Sequence, residues 1–244
     1  MYTLSTSLIH QPKGTLTMRL TPFVTGIFKL LLVLLFLLSL FAVIGHYMPV
    51  PDLELVVQQS IPPGPEWYGP QRTLYNHHST ISFLHIVPSL GLTLLVPVLL
   101  SQRIRSRWPA VHRWSGRLFL FLAVIVTLFG ILIALIFPFA GSGEALVILL
   151  ISTVFVFCLS YAYRKIRHGE VAAHRRWMIR ALAAGFSAAT MRVFFAIILA
   201  TTDASAKEIF TFCLWSGFLL NMLLAEIWII LSYGKSNIAQ ATKV

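Results

Sequence analysis

Four residues stand out because their side chains can do chemistry inside apolar surroundings. His85 lies in SFLHIVPSLG, His112 in VHRWSGRLF, His174 in AAHRRWMIRA and Arg192 in AATMRVFF. Neutral imidazole is a common axial ligand of haem iron. Two histidines on different helices at one depth would hold a haem between them, and arginines beside them would pair with its propionates. His112 and His174 meet that depth requirement, and Arg113 and Arg175 follow them directly. The expected metal site is therefore haem b, with His112 and His174 on the iron. No CxxCH occurs, which excludes ordinary covalent c-type attachment. A plainer reading makes each histidine a boundary residue beside Arg and Trp at a membrane surface.

His85 and Arg192 form a second candidate site at a different depth. Glu226 sits too far along its helix to neutralise Arg192, by roughly 10–15 Å of rise. No other carboxylate is expected at that level. An arginine left without a partner in the bilayer invites an anion, such as a propionate, a lipid phosphate or a quinone oxygen. The plainer reading is snorkelling towards the nearer interface. His174 and Arg192 are eighteen residues apart, which is five turns of one continuous helix, so they are expected on one face. Ala181, Gly185 and Ala188 share that face. Such a stripe means close helix packing, or room for a flat cofactor; Gly116 is open to the same two readings.

These groups must be positioned by membrane helices. Of the 244 residues, 57% are hydrophobic and only 11% charged, with a mean hydropathy of +0.82. A soluble domain carries about 25% charged residues. Disordered and disulfide-scaffold classes are excluded as well. Six apolar segments are long enough to span, at about 26–48, 79–100, 118–139, 145–163, 178–200 and 209–232. The first is too long for a signal-peptide core and is read as a retained helix. The expected fold is all-α: a polytopic membrane protein with a six-helix transmembrane bundle. It comprises a tail over 1–25, one transmembrane domain over 26–233, and a tail over 234–244.

Charge sets the orientation. The net charge of +11 would suggest nucleic acid in a soluble protein. Here the basic residues cluster in the loops after the second and fourth segments and at the two tails. The positive-inside rule then makes both termini cytoplasmic, with no nucleic-acid partner expected. The long opposite loop, 49–78, holds six of the twelve prolines and is expected to lack regular structure. It lies over the bundle mouth as a lid or serves as a solvated connection.

Other chemistry is thinly represented. The sequence holds no GxGxxG, P-loop, HExxH or GxSxG with a triad. HHST at 77–80 lacks the carboxylate or Cys that would complete a metal set. Pro88 and Pro97 are expected to interrupt the second helix, whereas the fifth has no matching prolines. Cys158 and Cys213 lie at different depths and are read as small apolar residues.

From about residue 79 to 200 the sequence resembles the bacterial membrane proteins filed as domain of unknown function 2306. The pattern is His85; then His112, Arg113, Gly116 and Arg117; then His174, Arg175, Trp177, Met178 and Arg180; then Arg192. The resemblance implies a multi-pass protein of a bacterial inner (plasma) membrane and carries no particular reaction. More loosely, the layout is similar to transmembrane b-type cytochromes, without their full histidine set. The leading expectation is a haem-binding, electron-transferring membrane protein with a redox partner or quinone. The alternative is a transporter or binding protein for an anionic lipid or quinone-type ligand, using His85 and Arg192. A structural accessory protein is the third.

Overall fold

The computed structural model describes residues 26–40 and 74–241, with side-chain environments up to 232. The described residues are helical, in the order α1 (Gly26–Leu40), α2 (Ser79–Leu100), α3 (Gln102–Arg107), α4 (Pro109–Ile136), α5 (Ser142–Arg167), α6 (Val171–Gly185), α7 (Ser187–Thr201) and α8 (Ala206–Ala241). Five segments are long and apolar enough to cross a membrane: α2, α4, α5, α6 with α7, and α8 as far as Ser232. The first expected span, 26–48, is seen only as α1, a shorter apolar helix. Residues 41–48 and the 49–73 part of the long loop lie outside the described residues.

Consecutive long helices pair. α2 packs on α4, α5 on α6, and α7 on α8, while α4–α5 and α6–α8 contacts join the pairs. The helix surfaces are inside-out relative to a soluble bundle. On α4, Phe121, Val124, Leu128 and Leu135 are exposed along one helical face, whereas Phe119, Ala123, Ile133 and Ala134 are buried on another. An apolar outer face is stable only against lipid. The chain is a multi-pass integral membrane protein.

Several local features depart from the expected layout. α2 runs unbroken through Pro88 and Pro97, because neighbouring helices and local adjustment accommodate proline in membrane helices. α4 begins at Pro109, about nine residues earlier than expected, with proline in the first turn where its missing N–H costs no helical bond. The basic loop between α2 and α4 contains α3, capped by Ser101 Oγ accepting from Ile104 N at 3.3 Å.

The largest departure is in the fifth membrane segment. It is two helices, α6 and α7, separated at Phe186 (φ −83°, ψ 3°). No proline is responsible. Ser187 Oγ donates to Ala184 O at 2.7 Å, so a hydroxyl takes over a carbonyl at the break. Asn221 on α8 does the rest: its Nδ2 donates to Ala183 O at 3.2 Å and its Oδ1 accepts from Thr190 Oγ1 at 2.9 Å. α8 comes this close because residue 217 is glycine. A Cβ there would meet Met191 N at 2.7 Å and Ser187 O at 2.8 Å, both backbone atoms. The five-turn argument that aligned His174 with Arg192 assumed one continuous helix and does not hold across this break.

Candidate functional site

A partly open cavity of about 300 Å³ lies between the helices. Its body is apolar, with Leu92, Val96, Phe119, Ile148 and Phe155 in the walls. The broken segment supplies much of the rest: Ala184, Gly185, Phe186, Ser187 and Ala188 all face it. Irregular backbone at membrane depth is tolerated where it lines a cavity or is buried in protein. Of the small-residue stripe, Ala181 is fully buried in helix packing, while Gly185 and Ala188 open on the cavity. The stripe therefore divides between its two expected roles.

Polar groups converge on this space. Tyr75, His85, Glu144 and Arg192 all line it. His85 comes from α2, and its Nδ1 lies 2.9 Å from Val126 O on α4. A carbonyl only accepts, so Nδ1 carries the hydrogen, and in the neutral ring Nε2 carries the lone pair. Gly130 makes the seat for this ring: a Cβ there would stand 3.0 Å from Cε1 and 3.2 Å from Nδ1.

Arg192 extends from the first half of α7. Its Nη1 donates to Ala188 O at 2.8 Å, one turn back along its own helix. The side chain thus points back along α7, away from Thr201, and lines the cavity while remaining exposed. Snorkelling towards that end would require the opposite direction. Among the described residues Arg192 forms no ion pair; the pairs there are Lys165–Glu170 and Arg180–Glu226.

Glu144 corrects an expectation. A carboxylate does reach the level of Arg192, because the first turn of α5 is buried and Glu144 is 4% exposed. Gly141 permits this turn by adopting φ +83°, in the left-handed region that favours glycine. Glu144 Oε2 then accepts from Ala140 N at 2.7 Å, reaching back over the helix start in the manner of a capping glutamate. Glu144 and Arg192 are both within electrostatic reach of Tyr75. Burial above all, and then the Glu144 charge, push the Tyr75 hydroxyl up to about 12, with Arg192 pulling the other way. Tyr75 is thus a neutral O–H near neutral pH.

The second expected site is at the other end of the bundle. His174, on α6, places Nδ1 2.9 Å from Ala162 O of α5, which fixes its tautomer as for His85. His112, near the start of α4, has a buried Nδ1 with no hydrogen-bond partner among the described residues. His112 lies within electrostatic reach of His174 and of Arg105. Neither histidine lines the cavity. Arg113 and Arg175 are exposed there. Gly116 is no close-packing glycine: a Cβ would meet only Leu99 Cδ2, at 3.9 Å. Among the described residues no group of three or more His, Cys, Asp or Glu could hold a metal ion.

Glu226 has a partner of its own. Arg180 Nε donates to Glu226 Oε1 at 2.5 Å and Nη2 to Oε2 at 2.8 Å, while the guanidinium stacks 4.6 Å from the Trp177 ring centroid. At the opposite end His78 stacks on Phe137 with centroids 4.2 Å apart. Both cysteines are free and buried. Asn221 and Glu144 escaped sequence reasoning. Asn221 is a lone polar residue in an apolar span, LLNMLL, and that isolation was the available signal.

The geometry thus defines a helical membrane protein with a partly open cavity between its helices, lined in part by charged and hydrogen-bonding groups. Residues 82–229, more than half of the chain, match the model of the family described as "Predicted membrane protein (DUF2306)", and the chain belongs to that family. No curated protein and no solved structure matches it.

Proposed function

We propose that the protein binds an amphiphilic ligand in the central cavity, with an oxygen-bearing head on Arg192 and an apolar tail along the aromatic and aliphatic walls. The observation that carries this reading is Arg192, an exposed cation that lines the cavity and forms no ion pair among the described residues. Arginine near the bilayer centre costs at least about 2.5 kcal/mol. A head group with anionic or carbonyl oxygen offsets that cost through the guanidinium fork. A lipid phosphate and a quinone-type ring both fit this description.

The test is Arg192→Met beside Arg192→Lys, with the bound amphiphile extracted from purified protein and measured by mass spectrometry. Wild type retains a ligand that Arg192→Met loses while eluting as a folded species. Unchanged ligand content in Arg192→Met, with raised stability, would defeat the reading.

A second reading is haem held between His112 and His174. What favours it is the nearness of His112 to His174, whose Nδ1 is tied to Ala162 O so that its Nε2 is left for a ligand. Such a haem would supply one-electron chemistry, and Arg113 and Arg175 would pair with its propionates. The expected sign is a b-type absorption spectrum, lost in His112→Ala and in His174→Ala. A colourless, folded protein made with ample haem would dispose of it.

Basic loops support a plasma-membrane orientation with both termini cytoplasmic. Reporter fusions at Ser142 and at the C-terminus check this; a cytoplasmic signal at Ser142 would overturn it.

A further inference from the structure

Among the polar groups on the cavity, His85 and Arg192 have opposite hydrogen-bonding sense. His85 Nδ1 donates to Val126 O, which leaves Nε2 as a fixed acceptor. Nε2 has no hydrogen-bond partner among the described residues and is not sealed by its neighbours, unlike His112 Nδ1. Arg192 is the other group, and guanidinium only donates. One of its N–H groups meets Ala188 O, and the remainder of the fork is open to the cavity. His85 and Arg192 both line this one cavity, which is what allows a single ligand to address both.

The neighbouring hydroxyls on α2 give their hydrogens to their own helix. Ser89 Oγ already donates to His85 O at 2.6 Å, and Thr93 Oγ1 to Ser89 O at 2.8 Å. A sugar or glycerol head would bring more hydroxyl donors than the one open acceptor, His85 Nε2, can take on this side of the cavity. A phosphodiester or a carboxylate satisfies Arg192 but has no hydrogen to give to Nε2. The complement of one fixed acceptor and one cationic donor is a head with one hydroxyl donor and a further oxygen acceptor.

We infer that the ligand is a hydroxylated ring of the hydroquinone type on an apolar tail, its hydroxyl donating to His85 Nε2 and a second oxygen accepting from Arg192. This rests on the cavity reading above and adds the chemical class of the head. His85 and Arg192 together, rather than Arg192 alone, then set specificity. A site built around a hydroxyl rejects an analogue that lacks it far more strongly than an apolar pocket rejects a change of size.

The experiment compares three probes by calorimetry on the full-length protein in nanodiscs: decylhydroquinone held reduced, its dimethyl ether, and decyl phosphate. Wild type is expected to bind the hydroquinone at least about tenfold more tightly than the ether. His85→Phe keeps the ring's bulk without the acceptor and should bind the two within about twofold of each other. His85→Gln returns an acceptor oxygen and should recover part of the preference. Arg192→Met should lose hydroquinone and phosphate alike. A measurement on unaltered protein stands beside these in case His85→Phe does not fold. In ¹⁵N-histidine spectra the His85 Nε2 resonance should move on adding hydroquinone and stay put with the ether.

Equal affinity for hydroquinone and ether, a preference that survives His85→Phe, or a motionless Nε2 resonance would each overturn the inference. So would tightest binding of decyl phosphate with no dependence on His85. In all of these, loss of binding in Arg192→Met would leave the cavity standing as a ligand site. If no probe binds wild type, or if Arg192→Met changes nothing, the cavity reading falls as well.

Discussion

Asn221 accepts a hydrogen bond from Thr190 at 2.9 Å, and that one contact ties α8 across the break in the fifth membrane segment. The same carboxamide donates to Ala183 O, on the other side of the break. Both ends of the interruption are therefore held by one side chain from a neighbouring helix. With Asn221 5% exposed and Thr190 8% exposed, water reaches neither contact freely.

Asn221→Leu should destabilise the protein by about 1–3 kcal/mol, because two buried partners lose their bonds. Thr190→Val should cost less, since Asn221 still reaches Ala183 O. The double variant should show a coupling of about 0.6–1.7 kcal/mol, the range for hydrogen bonds between membrane helices. Unfolding in mixed micelles measures all three. Strictly additive losses would mean the bond contributes nothing.

Two glycines should respond in opposite ways to alanine. Gly217→Ala puts a methyl group within 2.8 Å of backbone on α7, which cannot rotate aside. A loss of about 1–3 kcal/mol is expected as α7 and α8 separate. Gly116→Ala meets only Leu99 Cδ2 at 3.9 Å and should be neutral or stabilising by up to about 1 kcal/mol. Thermal melts in one detergent compare the pair directly.

Gly130→Ala should disturb ligand binding without touching a polar group. Its new methyl would press on the His85 imidazole at 3.0 Å and turn Nε2 out of position. Binding of the hydroquinone probe should fall towards that of the ether, while stability changes by about 1 kcal/mol or less. Unaltered probe preference would show that His85 does not address the head group.

Tyr75 should titrate late. Its pKa is raised to about 12 from an ordinary value of 10.0, so the fold favours the neutral hydroxyl. The associated stability is complete below the ordinary tyrosine range and is lost as pH climbs towards 12. Absorbance titration of tyrosinate should show one delayed step that is missing from Tyr75→Phe. A Tyr75→Phe curve that superimposes on wild type would contradict this.

The helices were legible because lipid imposes a simple demand: about 20 apolar residues for each span. Ser79–Leu100 appears within the bounds that length and hydropathy suggest. The break at Phe186 was not legible, because nothing at Gly185 or Ser187 forbids a continuous helix. What stabilises the break is Asn221, which lies about 35 positions downstream on another helix. Arg192 and His85 were identifiable as ionisable residues in apolar runs. Their convergence on one cavity depends on how α2 and α7 pack, which no local pattern encodes. Glu144 was misplaced for a similar reason: its position near a loop suggests solvent, and only tertiary packing buries that turn.

The backbone contact at Gly217 bears on how the protein is made. α7 carries Arg192 and Thr190, and α8 carries Asn221, so each helix alone would offer unsatisfied polar groups to lipid. Side by side, Thr190 and Asn221 satisfy each other, and the glycine lets the two backbones touch. The thermodynamically cheaper route into the bilayer delivers the two as a preassembled hairpin rather than one after the other. Truncating the chain before Ala206 should then strand residues 187–201 at the translocation machinery, which site-specific crosslinking of the arrested chain would register.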